Sequence, residues 1–203
     1  MFYDILDKKR IEILPLLKKF KEEFYLAGGT SLALQMGHRD SVDFDFFKYD
    51  DINVYELFER IKEVFHDHKV LKIQEEKNTL TVLIDETIKL SFFSYKYKLL
   101  KDRVDEEFLS LSSIEDIACM KLSAVLSRAT NKDYIDLYYI FKEHDLKNIL
   151  SLCKEKFPDV DTNLILKSLV YFDDVEHEPI MFKHESEVEF DVVEKFMIGL
   201  IKG

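Results

Sequence analysis

Cysteine is scarce: two residues, Cys119 and Cys153, in a chain of 203. Neither has the close partner spacing of a metal site, and each falls in a helical pattern among apolar neighbours. That predicts buried free thiols in a reducing compartment. No apolar run approaches the 18 or so residues of a membrane helix. The opening MFYDILDKKRIEILP lacks the basic-then-apolar order of a secretory signal. A cytoplasmic chain with no membrane partner is expected. Repeats, low-complexity tracts and clear linkers are missing as well. Basic residues are outnumbered, 29 Lys and Arg against 40 Asp and Glu, for a net charge of −11. This excludes a general, sequence-independent grip on nucleic acid, which needs many cations facing phosphates. A local basic patch remains open, and Lys96, Lys98, Lys101 and Arg103 form one candidate.

What is present concentrates between Phe24 and Phe47, FYLAGGTSLALQMGHRDSVDFDFF. Phe24 to Ala27 reads as a short buried strand. Gly28 and Gly29 end it and permit a positive φ or close approach of a ligand to the backbone. Thr30 or Ser31 is expected to cap a helix carrying Leu32, Ala33, Leu34 and Met36, and Gly37 to stop it. Val42-Asp43-Phe44-Asp45-Phe46 alternates strictly. On a strand, Asp43 and Asp45 then share one face, with Val42, Phe44 and Phe46 buried behind. Two adjacent carboxylates repel and raise each other's pKa. Mg²⁺ resolves that conflict, since it takes one or two carboxylates together with substrate phosphates. The Gly28-Gly29-Thr30 turn at a helix N-terminus suits those phosphates.

These residues carry a resemblance. Gly28-Gly29-Thr30 followed by Asp43-Phe-Asp45 is similar to the motif of polymerase-β-like nucleotidyltransferases. The longer string GGTSLALQMGHRDSVDFDFF resembles the AbiEii/AbiGii branch, encoded in bacterial abortive-infection and toxin–antitoxin loci. His38-Arg39-x-Ser41-x-Asp43 marks that branch. DIACMKLSAVLSRATNKDYIDLYYI resembles its helical half, where a lysine and a Lys-Asp-x-x-Asp motif line the cleft. The resemblance implies an α+β fold: a polymerase-β-like mixed sheet with flanking helices, followed by a helical C-terminal domain. Residues 1–108 would form the sheet domain and 109–203 the helical one. It implies Mg²⁺-dependent transfer of a nucleotidyl group from a nucleoside triphosphate to an acceptor, either RNA such as a tRNA end or a protein hydroxyl. A growth-inhibiting toxin with a separately encoded antitoxin is the expected setting.

Carried over to this chain, Asp43 and Asp45 are the expected metal ligands, and with Lys121 and Asp136 the catalytic set. Gly28, Gly29, Thr30, Ser31, Arg39, Ser41, Arg128, Lys132 and Asp133 are the expected nucleotide-binding set. Asp133 and Asp136 lie three apart on one helical face. They suit metal or acceptor binding, or an ion network between helices. One departure stands out: the wider superfamily takes a third acid from a later strand, and Ser91 occupies that place. Asp85, at the preceding turn, is not expected to replace it. Two alternatives follow, a nucleotide-binding regulatory module without turnover and a small-molecule transferase of the aminoglycoside-modifying kind.

The rest is plainer. Asp4 to Phe20 has helical periodicity with Asp4 or Asp7 as cap, and Pro15 predicts a kink or break. Val54 to Phe65 is a second helix; His66 and His68 follow on an exposed end. Strands are expected at Val70–Gln74, Thr79–Ile84 and Ile88–Tyr95 at hairpin spacing. Ser113-Ile-Glu-Asp116 reads as a capping box opening a helix that runs to Arg128. A turn and a second helix follow, then amphipathic stripes at Leu146–Phe157, Asn163–Phe172 and Val188–Ile201. Asp173 to Pro179 is an acidic loop, and His144, His177 and His184 are expected on the surface.

Overall fold

The computed structural model describes residues 1–202. Its centre is a seven-stranded mixed sheet in the order β3-β4-β5-β2-β1-β7-β6. The strands are β1 Tyr25–Ala27, β2 Phe44–Lys48, β3 Val70–Glu76, β4 Thr79–Ile84, β5 Ile88–Ser94, β6 Val104–Asp105 and β7 Ser110–Leu111. Helices α1 Lys8–Leu17, α2 Gly28–Met36 and α3 Val54–Val64 belong to this half. Five more complete the chain: α4 Ile114–Ser127, α5 Asn131–Glu143, α6 Leu146–Lys156, α7 Thr162–Ser168 and α8 Phe190–Lys202.

Alternation sorts the side chains of β2. Phe44 and Phe46 are buried with Leu80, Val82, Leu90 and Phe92 in a core that also takes Leu14, Leu17 and Ile61 from α1 and α3. Asp45 and Phe47 face the other way. β2 runs parallel to β5, pairing Asp45 with Ser91 and Phe47 with Phe93. It runs antiparallel to β1, pairing Ala27 with Asp45. Val42 departs from expectation: it is 45% exposed, because β2 begins only at Phe44 and Val42 lies in the loop before it.

A second core gathers the C-terminal helices around Leu122, Tyr134, Leu137, Ile140 and Met197. α2 joins the two cores, giving Ala33 and Leu34 to the first and Leu32 to the second. Sheet strands continue to Leu111, so β6 and β7, too short to show a period, went unseen in the sequence.

Several local expectations are corrected. Neither Thr30 nor Ser31 caps α2: the helix begins at Gly28, whose φ is +71°, and Ala27 stands at the N-cap without a side-chain hydrogen bond. Gly37 does stop α2, in the left-handed region at φ +70°. Pro15 does not break α1, which runs on to Leu17 before a single 3₁₀ turn at Lys18–Phe20. The Ser113 capping box is half formed. Ser113 Oγ accepts from the Asp116 amide, but the Asp116 carboxylate accepts from the Leu100 and Lys101 amides and from Lys156 Nζ. α7 ends at Ser168, short of Phe172. Cys119 and Cys153 are buried free thiols. Asp85 sits in a hairpin turn, bonded to His68 and the Lys69 amide.

Candidate active site

A cavity of about 380 Å³ opens where the sheet meets the helical half. Gly29 and Thr30 from the start of α2, Ser41 and Asp43 from the following loop, and Asp45 from β2 line one wall. Lys121, Arg128, Lys132 and Asp133, from α4, α5 and their connection, line the other. Gly28 lies behind this wall: a Cβ there would sit 3.5 Å from Asp45 Oδ2. Two further residues of the expected set also fall outside the lining. Ser31 is fully buried and bonded to Gln35, and Asp136 lies beneath the cavity floor with no exposed surface.

The glycine wall is built by short side-chain links. Thr30 Oγ1 donates to the Asp43 carbonyl and meets Ser41 Oγ at 2.8 Å. Thr30 therefore fixes the entry to β2 instead of capping its helix. With no side chain capping α2, its first-turn N–H groups remain available at the dipole's positive end. Gly29 is packed tightly, since a Cβ there would come within 2.7 Å of Arg39 Nη2.

The carboxylates meet a cation from β5. Lys89 Nζ lies 2.6 Å from Asp43 Oδ2. Burial pushes the Asp45 carboxyl above its usual range; the Lys89 charge and the Ser91 hydroxyl oppose that rise, and Asp43 adds to it. Ser91 is 2% exposed and lies in register with Asp45, so the place expected for a third acid holds a hydroxyl. Among the described residues, no group of three His, Cys, Asp or Glu side chains is placed to hold a metal ion. Two carboxylates at the edge of this cavity still fit Mg²⁺, which keeps waters and shares substrate phosphates.

From the cavity wall an ion network runs inward, with the exposed Arg128 at its outer end, 3.6 Å from Asp133. Asp136 Oδ1 accepts from His38 Nε2 at 2.8 Å and Arg39 Nε at 2.7 Å. Its Oδ2 accepts from Arg39 Nη2 at 2.8 Å and meets Lys121 Nζ at 2.7 Å. Lys121 also donates to Asp133 Oδ1 at 2.7 Å. Burial alone would raise the Asp136 pKa; the Arg39 and Lys121 charges and the hydrogen bonds hold it well below the usual carboxylate range. Two cations and two anions balance, so burial of the set is compensated. The network ties the His38–Arg39 loop to α4 and α5.

Three contributors escaped the sequence reading. Arg10 of α1, 7% exposed, donates Nε to the Val42 carbonyl at 2.6 Å and Nη2 to the Thr87 carbonyl at 3.0 Å. It holds together the ends of β2 and β5 that present Asp43 and Lys89. Lys89 itself was legible only as a strand residue. The third is the end of the acidic loop and the residues that follow it, Glu178 to Met181. Met181 O accepts from the Asp40 amide, and the Asn131 side chain bonds both backbone groups of Glu178. Pro179, Ile180 and Met181 thereby close one end of the cavity. The Lys96 to Arg103 cluster lies outside the cavity lining: Lys96 pairs with Asp51, and Arg103 covers the Tyr25 ring.

A family model described as nucleotidyl transferase AbiEii toxin, type IV TA system, matches residues 16–191. An uncharacterized protein of Aquifex aeolicus is 36% identical over 184 residues, covering 89% of this chain and 87% of its own. JHP933 from Helicobacter pylori superposes with a TM-score of 0.62 at 18% identity, over 97% of this chain and 92% of its own. MenT4, a nucleotidyltransferase toxin from Mycobacterium tuberculosis, does so with 0.58 at 15% identity, over 96% and 82%. At those identities the two structures speak to the fold. The expected polymerase-β-like α+β architecture is thus the observed one, and no described helix is long and apolar enough to cross a membrane. A sheet that sets two aspartates beside a glycine turn, over the span that the family model matches, belongs to a nucleotidyltransferase of the AbiEii toxin family.

Proposed function

We propose that the cavity binds a nucleoside triphosphate with Mg²⁺ and transfers its nucleotidyl group to an acceptor hydroxyl in the cytoplasm. The observation that carries this reading is the meeting of Asp43 and Asp45 with Gly29 and Thr30 in one recess. Asp43 and Asp45 would hold Mg²⁺, which when bound supplies charge neutralisation and Lewis acidity to the triphosphate. The free N–H groups of α2, with Ser41, would bind the phosphates beyond the reacting one. Lys89 and Lys121 stand beside the carboxylates to offset charge that grows on the phosphoryl oxygens. The acceptor oxygen bonds to the α-phosphorus as the bond to pyrophosphate breaks. The acceptor's proton passes to water. Asp136 acts through Arg39 and Lys121 as a positioning residue. The family's description as the toxin of a type IV system supports a separately encoded antitoxin as partner.

The cavity's five basic and five acidic side chains give it no excess of acid, which speaks against a cationic small-molecule substrate. A binding module without turnover draws support from Ser91 alone. Incubation with each α-labelled triphosphate, Mg²⁺, total RNA and cell protein tests the reading. Label in RNA or protein is expected; label in neither, with triphosphate still bound, would favour the non-catalytic module.

Two variants sharpen this. Gly29→Ala drives a methyl against Arg39 Nη2, whose guanidinium is pinned by Asp136 and cannot yield freely. The thermal shift given by Mg²⁺ and triphosphate is expected to disappear, while the unliganded melting temperature falls by only a few degrees. Ser91→Asp sets a third buried acid in register with Asp45 and raises its pKa further. Labelling is expected to stay level or fall; a strong rise would mark the native chain as a degenerate enzyme.

A further inference from the structure

Five acids line the cavity, and four of them already have a cation. Asp40 meets Lys183 at 3.2 Å, Asp133 meets Lys121 at 2.7 Å, Glu178 meets Lys132 at 2.6 Å and Asp43 meets Lys89 at 2.6 Å. Of the five, only Asp45 has no ion-pair partner among the described residues. We infer that Lys89 takes the place of a second divalent cation, so that Asp45 and the remaining Asp43 oxygen receive a single Mg²⁺ with the triphosphate. The inference rests on the nucleotidyl-transfer reading and sets the number of metal ions at the same site.

The sheet register puts the ammonium there. β2 and β5 run parallel with Phe44 opposite Leu90 and Asp45 opposite Ser91. Lys89, one residue before Leu90, thus meets Asp43, one residue before Phe44. The other neighbours of these positions are no acids either: Ala27 lies opposite Asp45, Thr81 opposite Ser91 and Leu83 opposite Lys89. The sheet therefore brings no third carboxylate to share a second ion. A lysine head is a compact unit charge with three donors and no coordination sphere to fill. It neutralises Asp43 Oδ2 and leaves the carboxylate pair with one net negative charge, enough to attract one divalent ion. Lys89 and Asp43 are 38% and 42% exposed at their side chains, and a pair so exposed adds little to stability. Yet its geometry is held from below. Arg10 bonds the carbonyls of Val42 and Thr87, one residue before Asp43 and two before Lys89. The contact is fixed where it governs the charge of the site.

Electron paramagnetic resonance with Mn²⁺ as the probe tests this, on the full chain with and without each α,β-methylene nucleoside triphosphate, which binds but cannot transfer. A lone bound Mn²⁺ keeps its six-line spectrum. Two ions at the spacing of a two-metal site, about 3.5–4 Å, couple and lose it. The wild type is expected to take one uncoupled ion with the triphosphate analogue. Lys89→Ala should tighten Mn²⁺ binding to the nucleotide-free protein by about tenfold or more, the scale on which one neighbouring charge shifts a carboxylate's affinity for a proton. Lys89→Arg should keep the wild-type affinity. Lys89→Ala/Ser91→Asp removes the ammonium and supplies the acid, and should take a second, coupled ion. A coupled pair in the wild type, unchanged Mn²⁺ affinity in Lys89→Ala, or a folded double variant that still takes a single ion would overturn the inference and leave nucleotidyl transfer standing. A wild type with neither bound Mn²⁺ nor a triphosphate-induced thermal shift would instead overturn the nucleotidyl-transfer reading beneath it.

Discussion

Asp136→Asn is expected to destabilise the protein by about 3–5 kcal/mol, the cost typical of removing one partner from a buried ion set. For a chain of this length that corresponds to a melting temperature lower by roughly 10 °C. Asp136 accepts from His38, Arg39 and Lys121 with no surface exposed. An asparagine leaves Arg39 and Lys121 with a single anion, Asp133, and turns an amide NH₂ toward one of the donors. The pH dependence follows from the sign of the shift. The folded-state pKa lies below the unfolded one, so the native protein carries extra stability above about pH 3.9 and loses it as pH falls through the folded value. Acid titration followed by circular dichroism should show this steep loss in the wild type and a shallower one in Asp136→Asn. A variant as stable as the wild type at pH 7 would remove the network from the account of how the cleft is held.

Asp45→Asn is expected to do the opposite to stability while abolishing transfer. Burial raises the Asp45 pKa above its unfolded value, so its ionisation on raising pH disfavours the folded state. An asparagine removes that cost, and the unliganded melting temperature at pH 7 should stay level or rise. Nucleotidyl transfer should fall by at least on the order of 10²–10³, the loss typical of removing one electrostatic stabiliser. Two aspartates in one cleft thus separate by sign: Asp136 stabilises the fold, and Asp45 strains it for chemistry. Labelling and thermal denaturation on the same preparations check both halves, and a fall of several degrees for Asp45→Asn would make that acid structural.

The parts of the cleft that were legible in the sequence are those set by a local period. On β2, Asp45 and Phe47 alternate with Phe44 and Phe46, and alternation fixes faces before any partner strand is known; Asp43, expected on the same strand face, instead lies one residue ahead of β2 and reaches the cavity from the loop. The end of α2 at Gly37 and the boundaries of α4 and α5 are likewise written in caps and apolar spacing. What was not legible depends on register or on long-range reach. Lys89 meets Asp43 because β2 and β5 run parallel with Asp45 opposite Ser91, and nothing in IKLSFF announces that offset. Arg10 reaches Val42 and Thr87 from a helix whose pattern suggested only packing. The position of Thr30 allows a cap, yet the Asp43 carbonyl and Ser41 take its hydroxyl.

The central claim is that Asp43 and Asp45 form the Mg²⁺–triphosphate site, and ligand-linked thermal denaturation tests it most directly, because a ligand that binds only the native state raises its melting temperature. Wild type and the Asp43→Asn/Asp45→Asn double variant would be melted with and without Mg²⁺ and each triphosphate. At ligand near a hundred times its dissociation constant the wild type should gain about 2.7 kcal/mol, a shift of several degrees with one preferred triphosphate, and the double variant should gain nothing. Equal shifts in the two proteins would contradict the account.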